Sequence, residues 1–181
     1  GSTDKTLKEI KALIEKDNNV KFLSFVKNYG HQIALKAGYD NASGDAIITM
    51  DSDLQHPPKL INLFIDSWEK GNEIVHGIKQ KTKDIGFFKI FFSKTFYYFI
   101  WIITSKRIKR NLSDFRLVSK KVAEFIKIQK NMSHFFRLEL SNIDVRQDFI
   151  KFNADPRKFG STKYNFIKNT KLLFDGISSI S

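Results

Sequence analysis

The chain has 181 residues, with 31 Lys+Arg against 19 Asp+Glu for a formal charge of +12, and 41% of its residues are hydrophobic. That length supports one domain with a real core, and the basic excess favours polyanionic partners: nucleic acid, an anionic membrane surface or phosphorylated substrates. The absence of cysteine excludes disulfides and Cys-based zinc sites, and no run reaches the about 18 apolar residues of a transmembrane helix.

The polar start, Gly1 to Thr6, shows no signal peptide. Ser2, Thr3 and Asp4 read as the N-cap region of a first helix, whose apolar positions Leu7, Ile10, Leu13 and Ile14 follow at helical spacing. Asp17-Asn18-Asn19 ends it, and Val20 to Val26 reads as a strand. Lys27 to Gln32 leads into a helix over Ile33 to Gly38. Gly30 there permits close backbone approach, and the helix start beside it can hold an anion, with Lys27 and His31 flanking. An ordinary left-handed glycine turn accounts for the same residues equally well.

The next segment carries the chemistry. The apolar run Ala46 to Met50 is a buried strand by composition, and it stops at Asp51-Ser52-Asp53-Leu54-Gln55-His56-Pro57-Pro58. If extended geometry continues past Met50, Asp51, Asp53 and Gln55 point to one side. Two carboxylates and an amide oxygen form an incomplete hard-oxygen site that suits Mg²⁺ or Mn²⁺, with water and substrate phosphate completing the shell. The competing account makes Asp51 and Asp53 plain turn and N-cap residues.

Pro57-Pro58 opens an amphipathic helix (Leu60, Ile61, Leu63, Phe64, Ile65, Trp68), and Gly71-Asn72 ends it. Glu73 to Gly77 is a short strand that leaves through a basic loop. Strands alternating with helices predict an α/β fold with a mostly parallel, Rossmann-like sheet flanked by helices. Ile85 to Thr104 is rich in Phe, Tyr and Trp with Lys89 and Lys94 interspersed. It is read either as an interfacial amphipathic helix or as a buried helix on the sheet. A basic connection, Ser105 to Asn111, precedes a strand over Ser113 to Val118. Helices follow over Lys120 to Lys130 and Asn131 to Leu140, then a strand over Ile143 to Ile150, a basic loop over Ala154 to Tyr164 and a last helix from Tyr164.

Four spaced motifs now stand in order. They are Asn28-Tyr29-Gly30-His31-Gln32-x-Ala34-Leu35-x-Ala37-Gly38; Asp51-x-Asp53-Leu54-Gln55-His56-Pro57-Pro58; Asp114-Phe115-Arg116-Leu117; and Arg157-x-x-Gly160-Ser161-x-Lys163-Tyr164. Together they resemble the family 2 glycosyltransferases that load sugars onto polyprenyl phosphates, the bactoprenol glucosyltransferases and dolichol-phosphate mannose synthases among them. The likeness covers essentially the whole chain.

The resemblance implies a GT-A-like catalytic domain over residues 1–181 with its first strand absent, and a transmembrane anchor following it. It implies an inverting hexosyl transfer from a UDP- or GDP-sugar to a polyprenyl phosphate at the cytoplasmic face of a membrane. The alternative is a family 2 enzyme acting on a polysaccharide or another hydroxyl acceptor. Asp51, Asp53 and Asp114 become the catalytic carboxylates, with Asp51, Asp53 and Gln55 on the metal ion. Gly30, His31, Gln55, Lys79, Lys89, Arg116, Arg157, Ser161 and Lys163 become the substrate and phosphate contacts. Lys79 departs from the arginine usual in the family, which loses the bidentate fork but keeps the charge. A nucleic-acid partner is not expected, because Asp51 and Asp53 would repel a phosphate backbone. Homo-oligomerisation of the full-length protein is left open.

Overall fold

A computed structural model of the chain describes residues 2–80, 112–129 and 136–154. The expected Lys89, Arg157, Ser161 and Lys163 contacts and the aromatic helix over Ile85 to Thr104 lie outside the described residues.

Helix α1 spans Thr6–Ile14 and α2 spans His31–Asn41, followed by strand β1, Ala46–Thr49. A 3-10 turn over Pro58–Leu60 feeds α3, Ile61–Glu69, and then β2, Ile74–Lys79. Strand β3 covers Leu112–Ser119, α4 Lys120–Ile128, α5 Phe136–Ser141 and β4 Gln147–Phe152. Local chemistry accounts for the boundaries. The Asp4 carboxylate accepts the Thr6 N–H at 3.0 Å just ahead of α1. The Ser119 hydroxyl caps α4 by accepting the Val122 N–H at 3.3 Å. Gly71 takes φ +90° where α3 must turn into β2, a conformation that favours glycine.

The four strands lie in the order β1-β3-β2-β4. Strand β3 runs antiparallel to both β1 and β2, and only β2 and β4 are parallel. The fold is α/β as expected, but the sheet is mixed rather than mostly parallel. Alternation and run length report burial and leave direction open, so the reversed β3 had no signature in the sequence. A second difference concerns Val20 to Val26. It joins no ladder, and Phe22, Leu23 and Val26 are exposed. Its apolar content resembled a strand, but strand structure requires a paired neighbour, and the described residues provide none.

Successive β2 and β3 residues face opposite sides. On one side Ile74 and Val118 pack with Tyr39 of α2, Val122, Ala123 and Ile126 of α4, and Phe136 and Leu140 of α5. On the other, Val75, Phe115 and Leu117 pack with Phe64 of α3 and Phe152 of β4. Two lysines tie α2 to α4: Lys36 Nζ donates to the Lys127 carbonyl at 3.2 Å, and Lys127 Nζ donates to the Ala42 carbonyl at 3.1 Å. Gly77 sits at an irregularity in the β2–β3 register, and a Cβ there would lie 2.7 Å from the Phe115 carbonyl oxygen. Backbones approach at that point more closely than any side chain allows.

Candidate active site

The site forms where β1 ends against the start of β3. Thr49 pairs with Arg116 in register, and the Thr49 hydroxyl donates to the Asp114 carbonyl at 2.6 Å. The chain then turns rather than continuing extended. Leu54 takes φ +63°, an uncommon conformation for a branched side chain, and Gln55 N–H donates to Asp53 Oδ1 at 3.1 Å. The two-residue alternation that aligned Asp51, Asp53 and Gln55 therefore does not apply. They are gathered by a tight turn, in which Asp53 also acts as an Asx-type acceptor.

His56 organises that turn. It is 4% exposed, and its ring lies nearly parallel to Phe115 at 5.0 Å and edge-on to Phe152 at 5.6 Å. Its Nδ1 accepts the Asp51 N–H at 2.9 Å, and its Nε2 lies 3.7 Å from Asp51 Oδ2. Burial pushes the His56 pKa below the ordinary 6.5, while the Asp51, Asp53 and Asp114 carboxylates pull it up and Lys79 lowers it further.

The sign of its pH effect follows. The native ring stays neutral at pH values where the unfolded ring already binds a proton, so native stability falls as pH drops below about 6.5. A His56→Phe variant is expected to lose less stability than wild type over that acid range, measured as Tm between about pH 8 and pH 5. Parallel Tm–pH curves for the two proteins would contradict it.

Asp114 and Arg116 project from β3 to the α2 side. Arg116 is fully buried, and its Nη2 donates to Asp114 Oδ1 at 2.7 Å and to the Ser113 carbonyl at 3.1 Å. His31 Nε2 lies 3.0 Å from Asp114 Oδ2, with the His31 side chain 48% exposed and that of Asp114 8%. Gly30, at φ +90°, starts α2 and donates its N–H to Asn28 Oδ1 at 2.8 Å, which sets His31 at the first helical position. Burial pushes the Tyr39 phenol up, and the Arg116 guanidinium works against that shift.

The Arg116 guanidinium, an expected phosphate contact, is fully buried and donates to Asp114 Oδ1 at 2.7 Å. The structure links Gln55 to Asp53 within the turn, Asp51 to His56, and His31, which follows Gly30, to Asp114. His56 stood inside a quoted motif but had no expected role. Its signal was a lone histidine directly after the acidic turn and before a proline-started helix.

Among the described residues no group of three or more His, Asp or Glu side chains is arranged to hold a metal ion. The donors present are the half-exposed Asp51 carboxylate and its turn partner Asp53. Such a pair fits a hard cation that brings most of its shell from water and substrate, and does not fit an all-protein cage.

The profile of glycosyl transferase family 2 matches residues 1–126. The chain belongs to glycosyl transferase family 2. It is 37% identical over all 181 residues to an uncharacterised glycosyltransferase of Synechocystis, covering 57% of that protein. It is 36% identical over its whole length to the bactoprenol glucosyl transferase of Shigella phage SfV and to a prophage bactoprenol glucosyl transferase homolog of Escherichia coli, covering 59% of each. The chain therefore spans less than three fifths of the length of these curated relatives. Helices on both faces of an α/β sheet are consistent with a GT-A-like fold for this family 2 chain. Among its described residues no helix is long and apolar enough to cross a membrane.

Proposed function

We propose that residues 1–181 act as the catalytic domain of an inverting glycosyltransferase. It moves a hexose from a UDP- or GDP-sugar to a polyprenyl phosphate at the cytoplasmic face of a membrane. The observation that carries this reading is the acidic turn of Asp51 and Asp53, which His56 ties to Phe115, the neighbour of Asp114 on β3. The names of the bactoprenol glucosyl transferases similar to this chain support the acceptor class.

Asp51 and Asp53, with Gln55, would hold Mg²⁺ or Mn²⁺. When bound, such an ion neutralises a diphosphate leaving group. Lys79 at the end of β2 and His31 at the start of α2 would offer further phosphate contacts. Lys89, Arg157, Ser161 and Lys163 are assigned to the acceptor phosphate on the family resemblance alone. In the transfer, an acceptor phosphate oxygen forms a bond to the anomeric carbon from the face opposite the donor. The bond from that carbon to the diphosphate breaks, and its electron pair leaves with the nucleoside diphosphate.

Asp114 bears on the choice of acceptor. One oxygen accepts from Arg116 and the other faces His31, so both oxygens are already engaged within the chain. A hydroxyl nucleophile needs a base to remove its proton. A phosphate monoester, with a second pKa near 6, is already largely a dianion at neutral pH. The arrangement at Asp114 favours the acceptor that arrives ionised. The test is sugar transfer by the full-length protein, in detergent with Mn²⁺, from UDP- and GDP-hexoses to undecaprenyl phosphate. Product from one donor is expected. Transfer only to polysaccharide or other hydroxyl acceptors would overturn the acceptor assignment.

A further inference from the structure

We propose that His56 is a positioning residue that fastens the acidic turn to the strand carrying Asp114. Two independent contacts make the joint. Toward the turn, its Nδ1 accepts the Asp51 N–H at 2.9 Å. Toward the strand, its ring stacks at 5.0 Å and 13° on Phe115, the residue between Asp114 and Arg116. Phe115 is itself immobilised, stacked on Phe64 at 4.5 Å and edge-on to Phe152 at 5.7 Å. The turn needs such a support, because Leu54 holds it in a positive-φ conformation that its own side chain disfavours.

A backbone N–H can only donate, so Nδ1 must be the bare nitrogen and the ring hydrogen sits on Nε2. His56 reaches no substrate in this scheme. It sets where the Asp51 backbone lies relative to Asp114, much as outer-shell partners hold metal ligands in place. Phenylalanine at this position keeps the stack and loses the acceptor. Asparagine keeps an acceptor oxygen near the Nδ1 position and loses most of the stack.

The proposal takes its functional meaning from the glycosyltransferase reading, but its geometry can be tested without activity. Long-range ¹H–¹⁵N spectra of the protein are expected to show His56 as the Nε2–H tautomer. The Nδ1–H tautomer would overturn the joint. Mn²⁺ titrations followed by electron paramagnetic resonance are expected to show affinity roughly 10-fold or more weaker in His56→Phe, with a smaller loss in His56→Asn, which keeps the acceptor but not the stack. Wild-type Mn²⁺ affinity in a folded His56→Phe protein would also overturn it. A wild-type protein that takes no Mn²⁺ would sink the metal reading instead, and the tautomer would still decide the role of His56.

Discussion

Asp53→Ala is expected to abolish metal-dependent sugar transfer, lowering kcat/KM by at least ~10³-fold, about 4 kcal/mol of transition-state stabilisation. The alanine variant removes two things at once. It deletes a charge that would face the donor diphosphate through a cation, and it deletes the oxygen that accepts the Gln55 N–H at 3.1 Å. Asp53→Asn separates them, because the amide oxygen can keep the turn while the charge is lost. The asparagine variant should therefore keep wild-type Tm and be nearly as inactive as the alanine variant. Steady-state transfer assays with Mn²⁺ alongside thermal unfolding would check this. Near-normal turnover in Asp53→Asn would reduce Asp53 to a turn residue.

Arg116→Met should have the largest effect on stability, a loss of about 3–5 kcal/mol by urea unfolding. The side chain is fully buried, and its removal takes from Asp114 the guanidinium that faces Oδ1 at 2.7 Å. What remains is a carboxylate of low exposure that has lost its closest compensating charge. Replacing both members, as Arg116→Met with Asp114→Leu, should recover part of the loss, because an apolar pair leaves no uncompensated charge behind. A single-variant loss under about 1 kcal/mol would show that the pair is far better solvated than its burial indicates. The double variant should still be impaired in transfer, since Asp114 faces His31 at the site.

These two residues show what could be read along the chain and what could not. Asp53 was legible because an apolar run ending in two carboxylates is a local pattern. Helices α2, α3 and α4 and strands β1, β2 and β3 were legible for the same kind of reason, through periodicity, proline starts and glycine stops. Arg116 was legible as a charge but not as a buried one. Nothing between Phe115 and Leu117 announces that Arg116, like its neighbours on β3, is buried. Val20 to Val26 erred the other way, since apolar content is local while strand pairing is not.

By itself, then, the amino-acid sequence determined most of the described elements, the acidic turn and the family, because turn chemistry, hydrophobic period and the residues within each motif act over short stretches. Only the tertiary structure decided that β3 runs against its neighbours, that Arg116 is buried, and that the His56 ring stacks on Phe115. Those outcomes depend on contacts between residues far apart in the chain, such as Thr49 with Asp114 and His31 with Asp114, at separations of 65 and 83 positions. Such distances are set by how the helices pack on the two faces of the sheet, and no short stretch of chain encodes them.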